Sequence, residues 1–337
     1  MIHGHGDDTY KFENIRINFS SNVNAQGINA GLQQHLKSCI QNLDSYPEPL
    51  AENLARRIEE EKNMPPESVL ITNGAVEAFY LLASLFQAKK SLIYTPSFSE
   101  YEDACKLYKH TINFCSNSSF AEKNEEPFDL VWICNPNNPD GKVFDKQILR
   151  EKIQQNPGTL YVLDEAYVEF INKNISLENE APDLPNLVVV KSLTKRFSIP
   201  GLRLGYLVCS PELITKLKKK LMPWRINALA LEAGLYCISE DYNDNFKLPE
   251  ILRECQHFQK ELAQIEGFEV VPSKTSFFLV KGPVKASKLK KCLAEKYGML
   301  IRDASNFRDL SDFHFRLSTQ SPEKNNALLN VLKTWKY

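Results

Sequence analysis

The chain has 337 residues, enough for two unequal domains, and is 43% apolar and 25% charged with a formal net charge of −1. That balance, with a mean hydropathy of −0.35, fits a globular protein and excludes a global field that would recruit nucleic acid or an anionic membrane. No apolar run approaches the ~20 residues that span a bilayer.

The N-terminus, "MIHGHGDDTYKFENIR", lacks a basic stretch followed by an apolar one, so no secretory leader is expected. The eight cysteines form no C-x-x-C pair, and several sit in apolar strand-like runs where Cys acts as a small hydrophobe. This predicts a reducing, cytoplasmic setting with neither disulfide framework nor metal site. The H-x-H pair of His3 and His5 has no evident third ligand. The lysine runs "KLKKK" (216–220) and "KLKK" (288–291) read as solvated helix faces.

From about 66 to 210 apolar strand-like runs alternate with amphipathic helices. The strands are predicted at 68–72, 91–95, 111–115, 129–134, 159–164, 186–192 and 202–209, with helices at 75–86, 99–108 and 145–155 among them. Such alternation predicts a mainly parallel sheet. Only nine residues, 193–201, separate the last two strands. A parallel crossover needs a dozen or more, so that pair should be antiparallel. After about 211 the chain turns helical, then ends in a strand–helix–strand pattern over "EVVPSKTSFFLV", "KASKLKKCLAEKYG", "MLIRDA" and "FHFRLST". The reading is α/β: an N-terminal segment (1–40) that joins a smaller domain and the active site, a large domain (41–234) and a smaller C-terminal α/β domain (235–337).

Four features fall where strands end, the edge at which open α/β sheets collect ligands. In "TNGAVEAF", Thr72 or Asn73 can cap a helix whose first N–H groups, at Gly74 and Ala75, can approach an anion; an ordinary strand-to-helix turn reads the same way. "NPNNPDG" (135–141) is a rigid turn that fixes Asn138, or a plain surface turn. In "LDEAY", Asp164 ends a buried run and needs a cationic partner or hydrogen bonds, unless it caps a helix; Tyr167 can face the same side. In "SLTKRFSIPGLRLGY", Ser192 and Thr194 flank Lys195, with Arg203 beyond a Pro-Gly turn. A neutral lysine in a dry cleft attacks aldehydes, and an arginine fork suits a phosphate. The alternatives are a loop lysine and a surface ion pair. Together the four sets match one small molecule carrying a phosphate, a ring nitrogen, a phenolic oxygen and an aldehyde: pyridoxal 5′-phosphate (PLP).

The order "NGAVEAF … NPNNPDG … LDEAY … SLTKRFSIPGLRLGY" resembles fold-type I PLP enzymes of the histidinol-phosphate aminotransferase-like group, over nearly the whole chain. The resemblance implies that Lys195 binds the cofactor aldehyde, Asp164 pairs with its ring nitrogen, and Asn138 and Tyr167 hold its phenolic oxygen. It places Gly74, Ala75, Ser192, Thr194 and Arg203 around the phosphate and stacks Phe98 on the ring. Tyr46, in "SYPEP", would reach the phosphate of a partner subunit, which implies a homodimer with shared active sites. Within the group the chain is most similar to the threonine-phosphate decarboxylase family, through "HGHGDD", "INFSSNVNAQG" with Asn22, "PWRINALA" and "GMLIRDASNFRDLSDFHFRLS". That family acts on a small phosphorylated amino acid, L-threonine O-3-phosphate, giving (R)-1-aminopropan-2-yl phosphate for cobamide synthesis. His3, Asn22, Arg302 and Arg316 would bind the substrate. The alternatives are an aminotransferase such as the histidinol-phosphate enzyme, and a sensor that kept the fold without chemistry. Asp140 stands where the group's turn carries Thr, bringing a negative charge near the expected cofactor.

Overall fold

The computed structural model describes residues 6–120 and 127–335. Its main sheet has seven strands, in the spatial order Val69–Thr72, Gly205–Val208, Leu187–Ser192, Leu160–Asp164, Leu130–Cys134, Lys90–Thr95 and Thr111–Ser116. Gly205–Val208 runs antiparallel to both neighbours and the other pairings are parallel, as expected, although the link before it, 193–204, is twelve residues long. Side chains alternate across the central strands. Ile71, Val131, Ile133, Leu163 and Val189 enter one buried layer, while Leu70, Leu130, Trp132, Val162 and Val190 enter the other. Both faces are therefore covered, and the strands read as unbroken apolar runs.

The reversed strand is shorter than the sequence suggests. Residues Pro200–Leu202 form a 3-10 turn and Arg203 takes a left-handed conformation (φ 59°), so extended structure begins only at Gly205. A Cβ on Gly205 would meet the Lys191 carbonyl oxygen at 2.7 Å and the Ala75 nitrogen at 2.9 Å, which restricts this position to glycine.

A second, antiparallel sheet has the order Arg302–Asp303, His314–Ser318, Phe277–Lys281, Glu269–Val270. The run expected as one strand at 269–280 is two. Pro272 lacks a donor, and the hydroxyls of Ser273 and Thr275 accept from the Thr275 and Phe277 N–H groups, turning the chain between them. The run "MLIRDA" also divides, because Met299–Leu300 pairs in parallel with Ile17–Asn18 while Arg302–Asp303 pairs with His314–Ser318. Helices Leu248–Leu262, Ala286–Tyr297 and Pro322–Thr334 bury this sheet around Phe19, Phe258, Phe278 and Phe315. No helix among the described residues is long and apolar enough to cross a membrane.

Candidate active site

A cavity of about 410 Å³ lies at the carboxyl ends of the parallel strands, under residues from the second sheet and the N-terminal segment. Its size suits one small cofactor with substrate. Ala75, Phe98, Asn138, Asp164, Tyr167, Ser192, Thr194, Lys195 and Arg203 line it, as do Asn22, Arg302 and Arg316. Tyr46 does not. It stands on the surface, 86% exposed, with its ring 5.3 Å from that of Trp224. His3 and His5 lie outside the described residues.

The base of the cavity is built by strand ends. Asp164 closes Leu160–Asp164, fully buried, and accepts from the Tyr101 hydroxyl (2.5 Å) and the Ala166 N–H (2.9 Å). Burial pushes its carboxyl above the ordinary range, against the pull of the Tyr101 hydrogen bond and the Lys195 charge. Such a group gains from a cation beside it. Lys195 sits in the short helix Leu193–Arg196 directly after Leu187–Ser192. Burial, and then the charges of Arg316 and Arg203, lower its pKa to about 8. About a tenth is then neutral at pH 7, some 300-fold more than for an ordinary lysine. Its ammonium lies 5.9 Å from the centre of the Tyr167 ring, and burial raises the Tyr167 hydroxyl pKa.

Beside it lies an anion cradle. Neither Thr72 nor Asn73 caps the following helix through its side chain; instead the Asn73 N–H donates to Glu77 (2.6 Å). The Thr72 hydroxyl is buried without a partner. Gly74 has φ 69°, and a Cβ there would meet Nη2 of Arg203 at 2.4 Å, so the guanidinium occupies the space beside the glycine. Ser192 and Thr194 share a 2.8 Å hydrogen bond across the cradle's other side.

The roof comes from the second sheet. Arg302 and Arg316 face each other across the Arg302–Asp303/His314–Ser318 ladder. Arg316 donates to Asn138 Oδ1 (2.5 Å) and the Ser20 carbonyl (2.6 Å), and its Nε is buried without a partner. Arg302 donates to the Asp303 carbonyl and to Asn306 (2.7 Å) and lies 5.1 Å from the Phe307 ring centre. Burial brings both arginines down to about 10, and in Arg302 the Arg316 charge adds to the effect. A Cβ on Gly6 would meet Arg302 Cδ at 3.3 Å and Arg316 Nη2 at 3.5 Å, so the glycine of the N-terminal motif packs directly on this pair. Both polar atoms of the Asn22 side chain are buried and unpartnered. Orphaned polar atoms of this kind cost ~1–3 kcal/mol each unless a ligand takes them up.

Asp140 turns inward to its own loop, accepting from Asn137 (2.7 Å) and the Lys142 N–H (3.0 Å), and does not line the cavity. Its carboxylate is engaged within the turn. Residues the sequence did not single out also matter here: Tyr101 holds Asp164, Asp7 and Ser20 line the roof, and Phe307 flanks Arg302.

The donor set fits PLP. A buried carboxylate awaits a cation, a lysine is partly neutral, an arginine and a glycine turn face an anion, and two buried asparagine atoms await partners.

Residues 15–332 match the family described as Aminotransferase class I and II. A putative threonine-phosphate decarboxylase of Caldanaerobacter subterraneus subsp. tengcongensis is 32% identical, over 98% of this chain and 93% of its own. A histidinol-phosphate aminotransferase of Thermoanaerobacter pseudethanolicus is also 32% identical, over 90% of this chain and 87% of its own. The solved L-threonine-O-3-phosphate decarboxylase of Porphyromonas gingivalis superposes with a TM-score of 0.91 at 36% identity, covering 94% of this chain and 98% of that one. The buried lysine, the paired aspartate and the glycine–arginine cradle thus stand in a chain that belongs to the class I and II aminotransferase family and is a PLP-dependent enzyme.

Proposed function

We propose that this enzyme decarboxylates L-threonine O-3-phosphate to (R)-1-aminopropan-2-yl phosphate, the amino alcohol phosphate used in cobamide synthesis. The observation that carries the reading is the roof: two facing arginines packed under Gly6 and Asp7 of the N-terminal motif and beside Asn22. A substrate with both a carboxylate and a phosphomonoester needs more than one cationic anchor, and a pair of arginine forks suits it. The likeness to the Porphyromonas decarboxylase supports the same choice. Histidinol-phosphate aminotransferases of comparable identity keep transamination as the competing reading.

When bound, PLP supplies an aldehyde and a ring that accepts the electrons of the α-carbon bond lying across its plane. Lys195, Asp164 and Tyr167 are the catalytic residues in this reading. Asp164 holds the ring nitrogen's proton, with Tyr101 fixing the carboxylate. Asn138 and Tyr167 hold the phenolic oxygen, and Phe98 stacks on the ring. Gly74, Ala75, Ser192, Thr194 and Arg203 bind the cofactor phosphate. Arg302, Arg316 and Asn22 bind the substrate's anions, so they decide which α-carbon bond is presented. As carbon dioxide leaves, Lys195 delivers a proton to the α-carbon, which balances the step.

The division at about residues 40 and 234 belongs to the same reading, supported by Ile17–Asn18 pairing with Met299–Leu300. So does a homodimer: Tyr46, Met222 and Trp224 are 86%, 75% and 51% exposed, an apolar surface that a second copy would cover while Tyr46 reaches its cofactor. A cytoplasmic setting belongs to the same reading, supported by the scattered, unpaired cysteines.

The test is to incubate the PLP-loaded enzyme with L-threonine O-3-phosphate and no keto acid. Catalytic carbon dioxide with aminopropanol phosphate is expected. No turnover, with histidinol phosphate and 2-oxoglutarate giving glutamate instead, would overturn the reading.

A further inference from the structure

Away from the cavity, the helix Ala30–Ser38 ends with His35 and its C-cap Cys39, four residues apart and hence on one face. Glu232, on the neighbouring helix Ala228–Cys237, points at the same spot. His35 Nε2 lies 3.6 Å from Cys39 Sγ and 3.6 Å from Glu232 Oε2, and the three ligand atoms all fall within 4.8 Å of one another. Zinc bonds of ~2.0 Å to nitrogen or oxygen and ~2.3 Å to sulfur, at tetrahedral angles, separate ligand atoms by about 3.3–3.5 Å. Two edges of that tetrahedron are already close to this length.

The surroundings orient these groups. Asn42 donates to Glu232 Oε1 (2.8 Å), leaving Oε2 turned towards His35. The His35 ring is stacked on Tyr236 at 4.5 Å and 17°. Partners of this kind fix the ligands of metal sites. A His–Glu ion pair accounts for two of the groups, and the buried Cys39 thiol stands within 4.8 Å of both.

We propose that His35, Cys39 and Glu232 form a three-ligand site for Zn²⁺, with water in the fourth position. The mixed sulfur, nitrogen and oxygen set selects zinc over magnesium or calcium. None of the three residues lines the Lys195 cavity, so the site is separate from the proposed chemistry. Zinc would tie the N-terminal helix to Ala228–Cys237 and fix the turn Ile40–Asp44, which leads to Tyr46.

Calorimetric titration of chelator-stripped holoenzyme with Zn²⁺ tests this. One ion per chain is expected, with affinity falling about 100-fold or more in His35→Gln and Cys39→Ser and about 10-fold in Asn42→Ala. Lys195→Ala should bind zinc as the wild type does, which separates this site from metal captured in the cavity. Should Cys39→Ser not fold, His35→Gln and Glu232→Gln, at half-buried positions, carry the test, with the circular dichroism spectrum as the check on folding. No binding by the wild type, or equal binding by His35→Gln and Glu232→Gln, would overturn the proposal.

Discussion

The base and the roof of the cavity are built by opposite strategies. The base takes Asp164, Asn138, Ser192 and Lys195 from the ends of adjacent parallel strands, each within a few residues of a buried apolar run. The roof takes Arg302 and Arg316 from a separate sheet and steadies them through distant contacts: Arg316 reaches Asn138, 178 residues away, and Ser20, 296 away. In the proposed reading the base carries what every reaction of this family needs, and the roof chooses the substrate. The two walls should therefore fail differently.

Lys195→Ala should be the most damaging change. It removes the only lysine lining the cavity among the described residues, and activity should fall by at least about 10³-fold with loss of the imine's visible absorbance. Unchanged absorbance would remove Lys195 from the base. The same residue sets a pH dependence. Because Lys195 must be neutral to attack an aldehyde, the rate of PLP capture by apoenzyme should rise tenfold per pH unit below about 8 and level off above it. Stopped-flow absorbance measures this, and a flat profile from pH 6 to 9 would contradict the lowered pKa.

Arg316→Gln should separate the walls. It should keep the cofactor's absorbance but lower kcat/KM by about 10²–10³-fold, the cost of removing one partner from a buried charged contact. Loss of cofactor together with substrate would show that the roof also serves the base, through Asn138. Tyr101→Phe should have a smaller effect, about 10-fold. Its hydrogen bond lowers the Asp164 pKa, so removing it raises that pKa further and should shift the acid limb of the kcat/KM profile to higher pH. Asp140→Thr should change kcat/KM by no more than about threefold, since that carboxylate is spent on Asn137 and Lys142. A larger gain would mean its charge does reach the cavity.

The same contrast explains what could be read from the sequence. Lys195 and Asp164 were legible because a parallel sheet delivers its strand ends to one edge, and the reversed strand because the two apolar runs lie too close in sequence for a crossover, although the observed link is twelve residues long. The splitting of 269–280 was not, since it depends on Ser273 and Thr275 capturing backbone N–H groups that a strand would otherwise use. Tyr101 carries no local mark; only packing brings its hydroxyl to Asp164. The roof's arginines were found by resemblance, whereas their facing register and the packing of Gly6 on them arise from contacts across almost the whole chain. His35 and Cys39 are spaced four apart, but Glu232 carries no sequence relation to them, because two helices must pack before the three meet.

The claim that the roof selects the bond to be broken is tested most directly by following the α-hydrogen. Turnover of L-threonine O-3-phosphate deuterated at the α-carbon should release carbon dioxide and leave the deuterium in the aminopropanol phosphate, because only the bond to the carboxylate breaks. Loss of the deuterium with the carboxylate retained would mean that the arginines present the α-hydrogen instead, and the account of the roof would be wrong.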